Sequence, residues 1–221
     1  MVKFFYVALL YTHIIDKFAS DPEKTDKTGL IFEEQKTNMR LMKSVQKKIY
    51  LLILTSILMA GCKKNVIISN KQAILFQIDY ENYAWGYQHN GLIIDSKGNI
   101  LTYKNPQNWD FPDKDFHLSE NQVNANLIRC LKTGKRIHEE ELKKYAGYIK
   151  NISSSKVTAL KNVAADAGSL EYICYQYSES TGTYKGSLIK KEGDFTCENL
   201  NFFSKKVSTW LKTISDTITR K

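Results

Sequence analysis

The chain has 221 residues, 32 Lys and Arg against 23 Asp and Glu, a formal net charge of +9 and 43% hydrophobic residues. That apolar content supports a packed core and excludes a charge-dominated disordered chain. The basic residues are scattered and accompany no nucleic-acid-binding motif, which argues against a nucleic-acid partner.

Residues 1–41 precede the first recognisable signal. Val2–Tyr11 is apolar but has no small-residue cleavage site behind it, and Asp21–Arg40 is polar without sustained periodicity. The expectation is that translation starts at Met42, with Met39 as a near alternative. Residues 1–41 are then a mis-assigned or disordered extension. The rival is a genuine extension with its own hydrophobic segment.

From Met42 the order changes. Lys43, Lys47 and Lys48 are followed by the apolar run Ile49–Met59 and then by Ala60-Gly61-Cys62. Basic, apolar and small-residue regions in that order predict a signal peptide over residues 42–61. The run is too short for a membrane-spanning helix, which needs about 20 apolar residues. A buried core helix fits the length but does not explain the order.

Met59-Ala60-Gly61-Cys62 resembles the lipobox of bacterial lipoproteins, with Met59 where that family most often has Leu. The resemblance implies a diacylglyceryl thioether on Cys62, cleavage before it, and acylation, as with palmitate, of the new amino group. The implied partner is a bacterial membrane, held through the acyl anchor on Cys62, because two or more acyl chains anchor stably. Lys63 and Lys64 are unlike the acidic run that resembles a surface-export tag, so the expected location is the periplasm-facing cell envelope.

Residues 62–221 carry 23 basic and 17 acidic side chains, a charge of +6. Residues 62–71 read as a tether and 72–217 as a single domain. Ala73–Tyr80 predicts a strand. Tyr83–His89 continues the aromatic pattern up to Asn90-Gly91, a hairpin signal. Ser96-Lys97-Gly98 is a second turn, before Asn99–Lys104. Two readings follow: a very short strand over Leu92–Asp95, or one longer strand through Asn90-Gly91 that reverses only at the second turn. The second is favoured, because four residues make a poor central strand.

Asn105–His117 is irregular. Ser119 with Gln122 fits a capping box, opening a helix whose apolar face is Val123, Leu127, Cys130 and Leu131, ended by Thr133-Gly134. A second helix is expected over His138–Asn151, with Leu142, Tyr145, Ile149 and Ile152 buried. Ser153–Gly168 reads as loop with a short element around Val157–Val163. Strands follow over Leu170–Tyr177 and Tyr184–Lys191, joined at Ser180-Thr181-Gly182, with a break at Gly193-Asp194. Asn201 opens a last helix, with Phe203, Val207, Trp210, Leu211 and Ile214 on one face. The order β-β-β-α-α-β-β-α predicts an α+β domain: a largely antiparallel sheet with about three helices packed mainly on one face.

The candidate binding residues are aromatic. On a strand, Tyr83, Trp85, Tyr87 and His89 project to one face. Against helices they are core, as Trp and Tyr in strands usually are. Left open, they suit a sugar ring or a peptide. Trp109, in the irregular connection, is the fourth binding candidate beside Trp85, Tyr87 and His89. Cys174 and Cys197 lie on neighbouring β elements and are the natural disulfide pair of an exported domain. A hairpin turning near Thr181 would instead set Cys174 opposite about Leu188. Asp166 and Asp194, each near glycine at a strand boundary, could converge for acid–base work or Ca²⁺, although turn formation explains both. Cys130 with a histidine is a conceivable nucleophile, against its reading as a small buried hydrophobe. No metal spacing is present, so no metal or other cofactor is expected. The loops of this domain are also faintly similar to those of uncharacterised secreted bacterial domains, a likeness that carries no function.

The expected function is a lipid-anchored envelope binding or interaction module for an envelope protein, peptide or glycan. The alternatives are a small hydrolase built on Asp166 and Asp194 or on Cys130 with a histidine, and a structural tether or inhibitor-like partner of another envelope protein.

Overall fold

The computed structural model describes residues 39, 41–50, 68, 69 and 71–219. The chain divides into two units, Met1–Lys63 and Lys64–Lys221. In the first, residues 41–50 are helical. The rest of the apolar run and Cys62 lie outside the described residues. No helix among the described residues is long and apolar enough to cross a membrane.

The second unit is α+β. Its strands are β1 (Ile74–Asn82), β2 (Gln88–Asp95), β3 (Asn99–Lys104), β4 (His117–Ser119), β5 (Leu131–Arg136), β6 (Lys161–Asn162), β7 (Ser169–Ser178), β8 (Thr183–Gly193) and β9 (Phe195–Glu198). Its helices are α1 (Glu120–Ile128), α2 (Glu139–Ala146), α3 (Ile149–Ser153) and α4 (Ser204–Thr219). The sheet order is β5-β3-β2-β1-β7-β8-β9-β6, with β4 paired to β8. Every strand pairing is antiparallel.

Side chains alternate across this sheet and build a core on each face. Phe76, Ile78, Leu92, Ile94, Tyr172 and Cys174 meet α2, α3 and α4, which contribute Leu142, Ile149, Ile152, Val207 and Leu211. The opposite face sets Ile93, Leu101, Tyr103, Ile173 and Tyr175 against Leu118 and Val123, with Trp109 and Phe116 packed on them. Three helices thus share one face, and α1 with the 105–116 connection covers part of the other.

Local chemistry accounts for most boundaries. The Ser119–Gln122 capping box is formed in both directions. Asp95 Oδ1 accepts from the N–H groups of Lys97 and Asn99, and Gly98 adopts φ +84°, so the chain reverses at Ser96–Gly98. Asn90 and Gly91 run within β2, which pairs with β1 from Ile74↔Asp95 to Asn82↔Gln88. Asn90 and Gly91 thus lie inside a strand, as favoured, but the chain reverses at residues 83–87 as well as at the second turn, which corrects the expectation of a single reversal.

Two of the expected helices also differ from expectation. Helix α1 stops at Ile128, and Leu131 belongs to β5, where it is 70% exposed and lies opposite Thr102. The open edge of β3 takes this segment as a strand, and Thr133 Oγ1 donates to Ile100 O at 2.7 Å. The expected helix over 138–151 is broken into α2 and α3 around Gly147, although Leu142, Ile149 and Ile152 are buried as expected.

Cys174 and Cys197 are free thiols, which corrects the disulfide expectation. Cys174 lies opposite Ser187, one residue from the anticipated Leu188, and faces the helices. Cys197 lies opposite Lys191, itself opposite Glu171, in a row that projects to the other face. Paired strand residues project to one side, so the two cysteines point to opposite sides of the sheet.

Candidate functional site

The site grows from β1. At alternate positions this largely apolar strand carries Gln77, Asp79 and Glu81, all facing the α1 side. One row runs across five strands in register: Tyr103, Gly91, Asp79, Glu171, Lys191. Gly91 decides how that row closes. A Cβ there would collide with Ile78 O and the Tyr103 hydroxyl. Without one, Tyr103 lies over β2 and donates to Asp79 Oδ1.

The same carboxylate oxygen meets His89 Nε2 at 2.8 Å. Behind it, Tyr175 OH donates to Gln77 Oε1 at 2.7 Å and Gln77 Nε2 donates to Tyr103 OH at 2.8 Å. Gln77, His89, Tyr103 and Tyr175 are all buried. Burial and the Asp79 charge push the Tyr103 phenol well above its ordinary value, so it stays a donor. His89 is enclosed by Tyr103, Trp109 and Phe111, with ring centroids 5.1–5.4 Å away. Its backbone N–H donates to Asn105 Oδ1 at 2.7 Å, while Nδ1 is buried without a partner.

In front of this network lies a cleft of about 180 Å³. Its described lining includes five carboxylates, on Asp79, Glu81, Asp110, Asp113 and Glu171, with Trp109 and Phe111 as aromatic walls and no Lys or Arg. A second cleft, of about 420 Å³, shares Glu81 and continues past Tyr83, Asp166, Lys191, Asp194 and Phe195. Most of these acids have a strong partner. Lys191 Nζ lies 2.7 Å from Glu171, Arg129 lies 3.4 Å from Asp110, and Asp194 Oδ1 accepts from Ala167 N at 2.8 Å. Glu81 receives only long contacts from the phenols of Tyr83 and Tyr87, at 3.4 and 3.5 Å. Burial first, and the Asp79 charge second, raise the Glu81 carboxyl above its ordinary value.

The aromatic candidates separate. Tyr83, Trp85 and Tyr87 do not share a strand face. They form the tip of the β1–β2 hairpin, 70%, 81% and 45% exposed. Gly86 permits that tip with φ +93°. His89 alone of the four packs inside. The rings nevertheless connect, from Tyr83 to Tyr87 at 5.1 Å and from Tyr87 to His89 at 6.2 Å. Trp109 stacks on Tyr103 at 4.3 Å and walls the first cleft.

The catalytic candidates fare differently. Asp166 and Asp194 both line the second cleft, but Asp194 organises the loop that holds Asp166 at φ +65°. Cys130 donates to Asn126 O at 3.3 Å, and burial pushes its thiol up to about 12, so it is not a thiolate at neutral pH. His89 is bonded to Asp79 instead. The cluster Asp113, Asp115 and His117 has metal-ligand spacing, but Asp113 Oδ1 already accepts from the backbone N–H groups of Asp115 and His117. Sequence reasoning missed Gln77, Asp79, Glu81, Tyr103 and Glu171. The signal was the alternation of polar residues at 77, 79 and 81 in a strand otherwise suited to full burial.

No family model matches the chain, no curated protein matches it, and no solved structure matches it.

Proposed function

We propose that this chain is a lipid-anchored envelope lipoprotein whose folded unit is a non-catalytic binding module, with the hairpin tip and the two clefts as its binding end. The supporting observation is the exposure of Tyr83, Trp85 and Tyr87 beside Glu81, at the far end of β1 from where the chain enters the fold. The entering segment is fixed at the other end: Gln72 Nε2 donates to Tyr175 O at 2.6 Å, and Tyr184 OH donates to Lys71 O at 2.8 Å. The eight steps between the nine residues of β1, at about 3.3 Å each, separate the two ends by roughly 26 Å. A tether on one end and exposed aromatic rings on the other suit presentation to a partner.

Two measurements test this reading. Mass analysis of the N-terminal peptide of membrane-extracted protein is expected to give an acylated peptide beginning at Cys62, absent from Cys62→Ser. An unmodified chain beginning upstream would remove the envelope address. A photo-crosslinking residue at Trp85 in living cells is expected to give a discrete adduct that the same probe at Lys97, on the opposite end, does not give. Equal labelling at both positions would remove the binding end.

A further inference from the structure

We infer that the groove formed by the two clefts receives a cationic stretch of polypeptide, with Lys or Arg side chains entering between the aromatic walls. This deepens the binding reading above and rests on it.

The charge of the groove opposes that of the unit that carries it. Residues 62–221 have a net charge of +6. The two clefts together are lined by seven carboxylates, and Lys191 is the single Lys or Arg in their described lining. Concave surfaces of one sign concentrate ligands of the other. The acids lie beside rings: Trp109 and Phe111 in the first cleft, Tyr83 and Phe195 in the second. Carboxylates with aromatic faces match ammonium and guanidinium groups, which gain from both.

A metal ion fits less well. Asp79, Glu81 and Glu171 do not bring ligand atoms within 4.8 Å of one another, whereas Asp113, Asp115 and His117 on the rim do. Spread acids suit several cations held along a chain. The shared wall, Glu81, makes the argument specific. Asp79 is held by His89 and Tyr103, Glu171 by Lys191, Asp110 by Arg129, and Asp113 and Asp194 by backbone N–H groups, while Glu81 has two long phenol contacts and sits near Asp79 and His89. A guest cation there would supply the missing partner. Because Glu81 holds its proton more readily than an ordinary carboxyl, a guest must compete with that proton, and binding weakens on acidification.

The test uses the full chain in detergent micelles, titrated calorimetrically with hexalysine, hexaarginine, hexaserine, hexaglutamate and a neutral oligosaccharide. The two cationic peptides are expected to bind, and to weaken severalfold as salt rises. Glu81→Gln is expected to weaken them about tenfold, the loss of roughly one favourable charge contact. Phe111→Leu is expected to weaken them about threefold. Glu140→Gln, on α2, leaves affinity unchanged and controls for net charge. Circular dichroism of each variant separates lost binding from lost folding. Equal binding of hexaserine or the oligosaccharide, or cationic binding insensitive to Glu81→Gln, would overturn the inference. No peptide binding, with the Trp85 adduct still formed in cells, would overturn the cationic class and leave the binding end standing.

Discussion

Tyr103 reaches Asp79 across an intervening strand because the residue between them is Gly91. The three occupy one cross-strand row, and the hydroxyl occupies the space a Cβ would fill. The backbone and side chain of β2 thus admit a polar bridge that an alanine would exclude. Gly91→Ala is expected to lower stability by roughly 2–4 kcal/mol, through displacement of a buried ring and loss of its bonds. Tyr103→Phe removes only the hydroxyl and is expected to cost about 1–3 kcal/mol. The two changes act on one contact, so the double variant should fall short of their sum. Chemical denaturation of the four proteins checks this, and strict additivity would disprove the shared contact.

The same row shows what the sequence made readable. Turns and caps depend on neighbours, and Ser96–Gly98, Ser119–Gln122 and Ser180–Gly182 act where their residue types indicate. Strand β7 was legible from its apolar pattern, and the one-residue error opposite Cys174 follows from the turn, which pairs Ser178 with Thr183 and so centres between Ser180 and Thr181 rather than on Thr181. The Tyr175–Gln77–Tyr103–Asp79–His89 network was not legible. Its members are separated by up to 98 residues and meet only after β7 pairs with β1. The aromatic run 83–87 misled for a related reason: its composition suits a strand, but Gly86 and the β1–β2 register make it a turn.

Asn199 joins three elements through its amide. Nδ2 donates to Ile152 O in α3 and to Leu188 O in β8, each at 3.1 Å. Oδ1 accepts from Asn201 N at 3.0 Å and Ser204 Oγ at 3.1 Å. The residue is buried. Asn199→Ala is expected to lose roughly 3 kcal/mol or more, since several partners are left unpaired. Asn199→Asp should cost more despite equal size, because its oxygen faces two carbonyl oxygens. Thermal unfolding of both variants decides the point, and a milder Asp variant would contradict the assigned amide orientation.

The thiols provide a test of the sheet geometry. Burial pushes Cys174 up to about 12 and raises Cys197 as well. In the native state both should resist a thiol reagent at neutral pH, and full unfolding should make the thiols of Cys130, Cys174 and Cys197 reactive. Reductant should leave the melting temperature unchanged. A mass loss matching a Cys174–Cys197 bridge in protein isolated from its native cells would refute the opposed-face geometry.

Glu81 links stability to pH with a definite sign. Its folded carboxyl holds a proton more tightly than the unfolded one, whose ordinary value is 4.5. The contribution is therefore favourable below that value and is lost as pH rises through the higher folded value. At pH 7 the charged carboxylate, near Asp79 and partly buried, works against folding. Glu81→Gln should then melt at a temperature equal to or above the parent at pH 7, with the difference reversing or vanishing near pH 4. Paired melts at the two pH values measure this. A Gln variant clearly less stable at pH 7 than at pH 4, relative to the parent, would mean that the charged form is favoured in the fold, and Glu81 would already have a cationic partner within the chain.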